Sequence, residues 1–211
     1  MANEWWQQLP ADERREYQRS EKLSKVPLPP DPCLGKIALA IDRALASENR
    51  LKAEGASQAL VDRLSRRLSM PSATIRVQGR RPPDGEGELH GIYRPAEGTE
   101  QDQISVWMRT AKRADVVATR TFLRTLLHEV GHHLDMRLLD LPNSYHSRGF
   151  YQREAYLFRI ITKGTALAPG GTAESPREPA VPPPQVDVQR GLALLRATVD
   201  KIEGRSQKEE S

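Results

Sequence analysis

Four of the five histidines fall between positions 128 and 146, and three of them lie in Thr125-Leu126-Leu127-His128-Glu129-Val130-Gly131-His132-His133-Leu134. His128 and His132 are four residues apart. On a helix that spacing puts both imidazoles on one face, one turn apart and about 6 Å along the axis. Two nitrogens so placed can fill two corners of a tetrahedral zinc site. Glu129 is too close in sequence to be a natural third ligand, but it is well placed to hydrogen-bond a water on the metal. This is the HExxH pattern. Apart from its His and Glu residues, Leu126–Leu134 carries no charge, as a helix in the wall of an active site requires. Gly131 is expected to leave space beside the metal.

A third ligand has to come from further along the chain. His146, in Ser144-Tyr145-His146-Ser147-Arg148-Gly149-Phe150, follows His132 by fourteen residues. Glu154, in Gln152-Arg153-Glu154-Ala155-Tyr156, follows it by twenty-two. Pro142-Asn143 breaks the helix and lets the chain turn back, so His146 is the expected ligand and Glu154 the alternative. With His146 on the metal, Glu154 becomes an outer carboxylate or an arginine partner. Asp135 either orients His132 by accepting a ring N–H or is a solvated helix residue. His133 points about 100° away from His132 and reads as structural. His90 reads as an ordinary strand residue. Tyr145, Phe150, Tyr151, Tyr156 and Phe158 crowd the segment after the turn and read mainly as core. Tyr145, Tyr151 or Arg148 is the candidate donor to a developing oxyanion.

These residues need a scaffold. Leu123, Leu126, Leu127, Val130 and Leu134 give a helical stripe between Asp115 and about Leu139, and a further helix is predicted from Arg148 or Gly149 to Ile161. Upstream, Ile37, Ile41, Ala44 and Leu45 share one helical face, and Leu60, Leu64 and Leu68 another that Pro71 ends. Ala73–Val77, Leu89–Arg94 and Ile104–Arg109 read as three strands. The first is followed by a turn-rich loop over 79–87. Near the N-terminus, Trp5, Trp6 and Leu9 suit a short helix capped at Pro10, with the tryptophans as a hydrophobic anchor. Val188, Leu192, Leu195, Val199 and Ile202 form a short a/d stripe, read as a helix docking back on the core.

Proline clusters divide the chain. Segment 1–32 ends in Pro27, Pro29, Pro30 and Pro32. A domain follows over 33–163, then a Pro/Gly-rich linker over 164–185 and a C-terminal helix and tail over 186–211. The 211 residues are 37% hydrophobic and 28% charged, enough for one modest core. No apolar run approaches the ~18 residues of a membrane span, and residues 1–8 do not read as a secretory signal. A single cysteine, Cys33, excludes an internal disulfide and any multi-cysteine zinc site. A cytoplasmic location is expected. The net charge of +4 permits contact with nucleic acid without requiring it.

The HExxH helix followed by His146-Ser147-Arg148-Gly149-Phe150 resembles the SprT/Spartan-like zinc metallopeptidases. The resemblance covers roughly 73–163 and is specific over 125–158. It implies an α+β, zincin-like domain: a small, mostly antiparallel sheet of about three strands packed on the HExxH helix and further helices, with flexible tails. It also implies that His128, His132 and His146 bind Zn2+ and that Glu129 is the catalytic base. Three features depart from that family: a slightly short spacing to the third histidine, Gly149 where a glutamate is common before the aromatic, and no cysteines for a zinc ribbon. A second resemblance is to the gluzincins, with Glu154-Ala155 as the downstream Glu-Ala.

The expected function is a zinc-dependent metallopeptidase that hydrolyses peptide bonds with a Glu-assisted, metal-activated water. Its substrate is a protein or peptide, with weak DNA contact through Arg63, Arg66, Arg67, Arg80, Arg81, Lys112 and Arg113, and no membrane partner. The alternative is a non-enzymatic DNA- or protein-binding module on the same scaffold.

Overall fold

The structure is a computed structural model and describes residues 5–81, 91–97 and 100–167. These belong to the first of two compact units, Met1–Ser175; the second, Pro176–Ser211, lies outside the described residues. His90, most of the 164–185 linker and the C-terminal helix also lie outside them.

A 3-10 turn over Trp5–Gln8 leads into five helices and three strands: α1 (Ala11–Lys22), α2 (Pro32–Ala46), α3 (Arg50–Leu68), β1 (Thr74–Arg80), β2 (Gly91–Arg94), β3 (Gln103–Arg109), α4 (Thr119–Arg137) and α5 (Arg148–Thr162). The fold is therefore α+β. Local chemistry sets the helix starts. The Asp31 side chain accepts the Cys33 N–H with Pro32 in the first turn, Asn49 accepts from Lys52, and Ser147 accepts from Phe150. α1 was not expected from the sequence as a helix beyond Pro10. Trp5 and Trp6 are anchored, packing on Tyr17 at ring-centroid distances of 5.4 and 5.5 Å. Val26 and Leu28, within the proline-rich stretch, are buried in the core.

The sheet corrects one expectation. Its order is β1-β3-β2, with β3 parallel to β1 and antiparallel to β2, so it is mixed rather than mostly antiparallel. Burial accounts for the central place of β3, whose residues Ile104 to Met108 are all buried. A strand covered on both faces and paired along both edges belongs in the centre of a sheet.

The outer edge of β1 is blunted by α3. Arg50, Glu54 and Gln58 recur every four residues on one helix face. Gln58 donates to the Ala73 carbonyl (2.9 Å) and accepts from the Ile75 N–H (2.8 Å). Glu54 accepts from the Val77 N–H (2.9 Å) and Arg50 donates to the Val77 carbonyl (3.0 Å). Side chains thus take the place of a neighbouring strand. Among the described residues no strand pairs with the outer edge of β2, and Glu129, next to His128 in α4, accepts the Tyr93 N–H of β2.

α4 packs its stripe of Phe122, Leu123, Leu126, Leu127, Val130 and Leu134 into the core. Its fully buried His133 donates from Nε2 to the Pro71 carbonyl (2.9 Å) and lies 3.1 Å from Asp102 through Nδ1. It ties α4 to the chain entering β1, the structural role expected of it. No helix among the described residues is long and apolar enough to cross a membrane.

Candidate metal centre

α4 carries His128 and His132 on one face, and the loop between α4 and α5 brings His146 to them. The three rings have centroids 5.0, 4.8 and 5.0 Å apart. One nitrogen from each lies within 4.8 Å of the others, and Nε2 of His146 is 3.1 Å from Nε2 of His132. Two imidazole nitrogens at bonding distance on a tetrahedral zinc are about 3.3 Å apart. One pair is therefore already close to its liganded separation, and the others need to close by at most about 1.5 Å. The three histidines can bind a metal ion.

The Nδ1 contacts say which nitrogens face the centre. His128 Nδ1 meets Glu154 Oε2 at 3.1 Å. His132 Nδ1 meets Ser144 Oγ at 2.8 Å, and that hydroxyl donates to Asp135 Oδ2 at 3.1 Å. Both rings hold an N–H on the outer side, which leaves the Nε2 lone pairs for a ligand. Glu154 is thus the outer partner of His128. Asp135 acts on His132 as expected, but through Ser144, which the sequence reading did not single out.

Burial, with the neighbouring His128 and His146, holds His132 well below the usual imidazole range; burial and His128 push His146 down to about 4. Burial acts the same way on His128, but the Glu154 and Glu129 carboxylates outweigh it and raise that ring. Neutral imidazoles are the form that binds a cation.

Glu129 is 6% exposed and sits against the outer edge of β2, where its carboxylate accepts the Tyr93 backbone N–H. Burial pushes it up to about 7 against the lowering pull of His128. A Cβ on Gly91 would lie 2.6 Å from Glu129 Oε1, so any larger residue there displaces the carboxylate. Gly91 was read only as part of a strand. A glycine inside a strand marks close approach of another group, which is the signal that points to it.

Phe150 forms the floor. Its ring centroid is 5.0, 4.9 and 5.1 Å from those of His128, His132 and His146. The space at Gly131 is filled by this ring rather than left beside a metal: a Cβ there would meet Phe150 Cζ at 3.0 Å. Tyr145 is not available as an oxyanion donor, because its hydroxyl is given to Glu13. Tyr151 lies near the site, its ring tilted 5.8 Å from the His146 ring and 6.4 Å from that of His128.

Below the floor, Asp135 and Arg153 form a buried ion pair, 0% and 1% exposed by side chain, with Arg153 Nη2 at 2.7 and 2.9 Å from the two carboxylate oxygens. Removing one partner of such a pair strands the other charge and costs about 3–5 kcal/mol. Arg153→Met is expected to lose stability on that scale in urea unfolding of the metal-free protein. A loss below about 1 kcal/mol would show that the pair does not hold the site together.

Several of the basic residues are engaged within the fold. Arg63 and Arg67 lie 2.6 and 3.9 Å from Asp31, and Arg80 donates to the carbonyls of Ala111 and Lys112. Comparison with protein-family models, curated proteins and solved structures returns no match.

Proposed function

We propose that the chain is a zinc metallopeptidase of the zincin kind, similar to the SprT/Spartan-like enzymes. One juxtaposition carries this reading: three imidazole nitrogens converge beside a buried carboxylate that lies at the outer edge of β2. The residues fit zinc by their donor chemistry, with three imidazole nitrogens, two of them on rings whose outer N–H is held, by Glu154 for His128 and by Ser144-Asp135 for His132.

A zinc ion held by His128, His132 and His146 would supply Lewis acidity toward a peptide carbonyl and toward water. The rest falls to the chain. The peptide carbonyl is brought in beside the histidines, past the Tyr93 N–H that Glu129 already holds. Glu129 takes the proton from the attacking water and returns it to the leaving amine. The Tyr93 N–H and the close fit against Gly91 fix the carboxylate for that transfer. The Tyr151 hydroxyl donates to the oxygen on which negative charge develops.

Metal analysis beside a peptidase assay tests this. The purified chain is expected to hold one zinc per molecule and to cleave unstructured protein. A chelator should remove both metal and activity, and added zinc should restore them. A protein that cleaves equally well after its metal is stripped would overturn the reading.

A further inference from the structure

The two helical histidines are each held twice, by the α4 backbone and by a partner on Nδ1. His146 differs. It sits in a loop, and among the described residues nothing bonds its Nδ1. Its position therefore depends on whatever fixes the backbone around it.

The start of that loop is tied to α4, by the Leu141 N–H to the Asp135 carbonyl (2.8 Å) and by Ser144. Beyond the His132 contact and Trp5, which packs on Tyr145 at 6.1 Å between ring centroids, the remaining ties come from α1. Glu16 accepts the Asn143 backbone N–H (2.8 Å) and its side-chain amide (2.7 Å). Glu13 accepts the Tyr145 hydroxyl. Ser20 Oγ and Ser147 Oγ are 2.6 Å apart, and Glu21 accepts the Arg148 N–H. Tyr17 packs on Tyr145 at 5.9 Å between ring centroids. Residues 143, 145, 147 and 148 are thus all held by one helix, on both sides of position 146. The approach is tight as well: a Cβ on Gly149 would lie 1.9 Å from the Ser20 carbonyl oxygen.

We infer that α1 is part of the metal centre: it positions the third ligand, so docking of α1 and metal binding strengthen one another. This rests on the reading of His128, His132 and His146 as ligands. Linkage requires the effect to run both ways. Metal should quieten α1, and loosening α1 should weaken the metal.

The test uses the full chain and Zn2+ itself. Affinity is measured by competition with a chromophoric chelator for wild type, Glu16→Ala, His146→Ala and the double variant. Hydrogen exchange over residues 11–22 is followed with and without zinc. Glu16→Ala is expected to weaken zinc about tenfold, the effect of losing an outer partner. In the His146→Ala background, titrated directly with excess Zn2+ so that the weak binding by the two remaining imidazoles is read, it should change nothing, since the ligand it positions is gone. Zinc should slow exchange in α1 of wild type and not of His146→Ala. Gly149→Ala should weaken zinc further; if it does not fold, the Glu16 cycle and the exchange data still decide. A Glu16→Ala protein with lowered thermal stability but unaltered zinc affinity overturns the coupling alone, as does an equal loss in both backgrounds. A wild-type chain that takes up no zinc overturns the ligand reading together with the coupling.

Discussion

Glu129→Gln is expected to keep one zinc per chain and to lose peptide hydrolysis by about 10²–10⁴-fold, the range that general-base catalysis contributes. Glutamine nearly matches the shape of glutamate and retains an oxygen that can accept the Tyr93 N–H. It cannot take a proton from water. The substitution also removes a buried carboxyl that burial pushes up to about 7, so the variant should fold at least as well as wild type. Zinc content, unfolding midpoint and turnover of an unstructured protein, measured on one preparation, separate the effects. Full turnover in this variant would refute the role of Glu129. Loss of zinc as well would mean that the carboxylate helps to hold the metal rather than the proton. Gly91 bears on the same residue from the opposite side, since its missing side chain is what lets the carboxylate lie against β2.

What could be read from the sequence follows from the kind of contact each element makes. α4 was legible because its buried residues recur at helical spacing and Pro142 stops the pattern. The convergence of His128, His132 and His146 was legible because two ligands share one turn and a break returns the chain. α1 was not legible. Its sequence, Ala11 to Lys22, has almost no apolar stripe, and it docks through Glu13, Glu16, Ser20 and Glu21. Periodicity detects burial of hydrocarbon, not a helix face that bonds by polar groups. The order of the sheet was hidden for a related reason. Ser105 made Ile104 to Arg109 look alternating, as a half-exposed strand does, whereas Ser105 is 6% exposed and the strand is central. Gly149 was visible only as a departure from the SprT/Spartan-like pattern. The contact with Ser20 accounts for it, because a glutamate there has nowhere to go while α1 is docked.

The two downstream ligand candidates give the other large effect, and they should separate cleanly. His146→Ala removes a nitrogen that lies 3.1 Å from Nε2 of His132 and leaves two imidazoles for the ion. Zinc is expected to be lost on dialysis against a mild chelator, and hydrolysis with it. Glu154→Ala takes away only the outer partner of His128 Nδ1, at 3.1 Å, and frees that ring to turn. Affinity should fall by about 10–100-fold, and zinc should remain bound at micromolar free metal. Glu154→Gln should recover much of that loss, because its amide oxygen still accepts the ring N–H. If instead Glu154→Ala strips the metal and His146→Ala does not, the ion is held by two histidines and a glutamate, and the gluzincin resemblance is the better guide. The geometry argues against that outcome. Glu154 already spends its carboxylate on the outer nitrogen of His128, while His146 turns Nε2 toward that of His132. For Glu154 to bind the ion, His128 would have to give up the contact that now orients it.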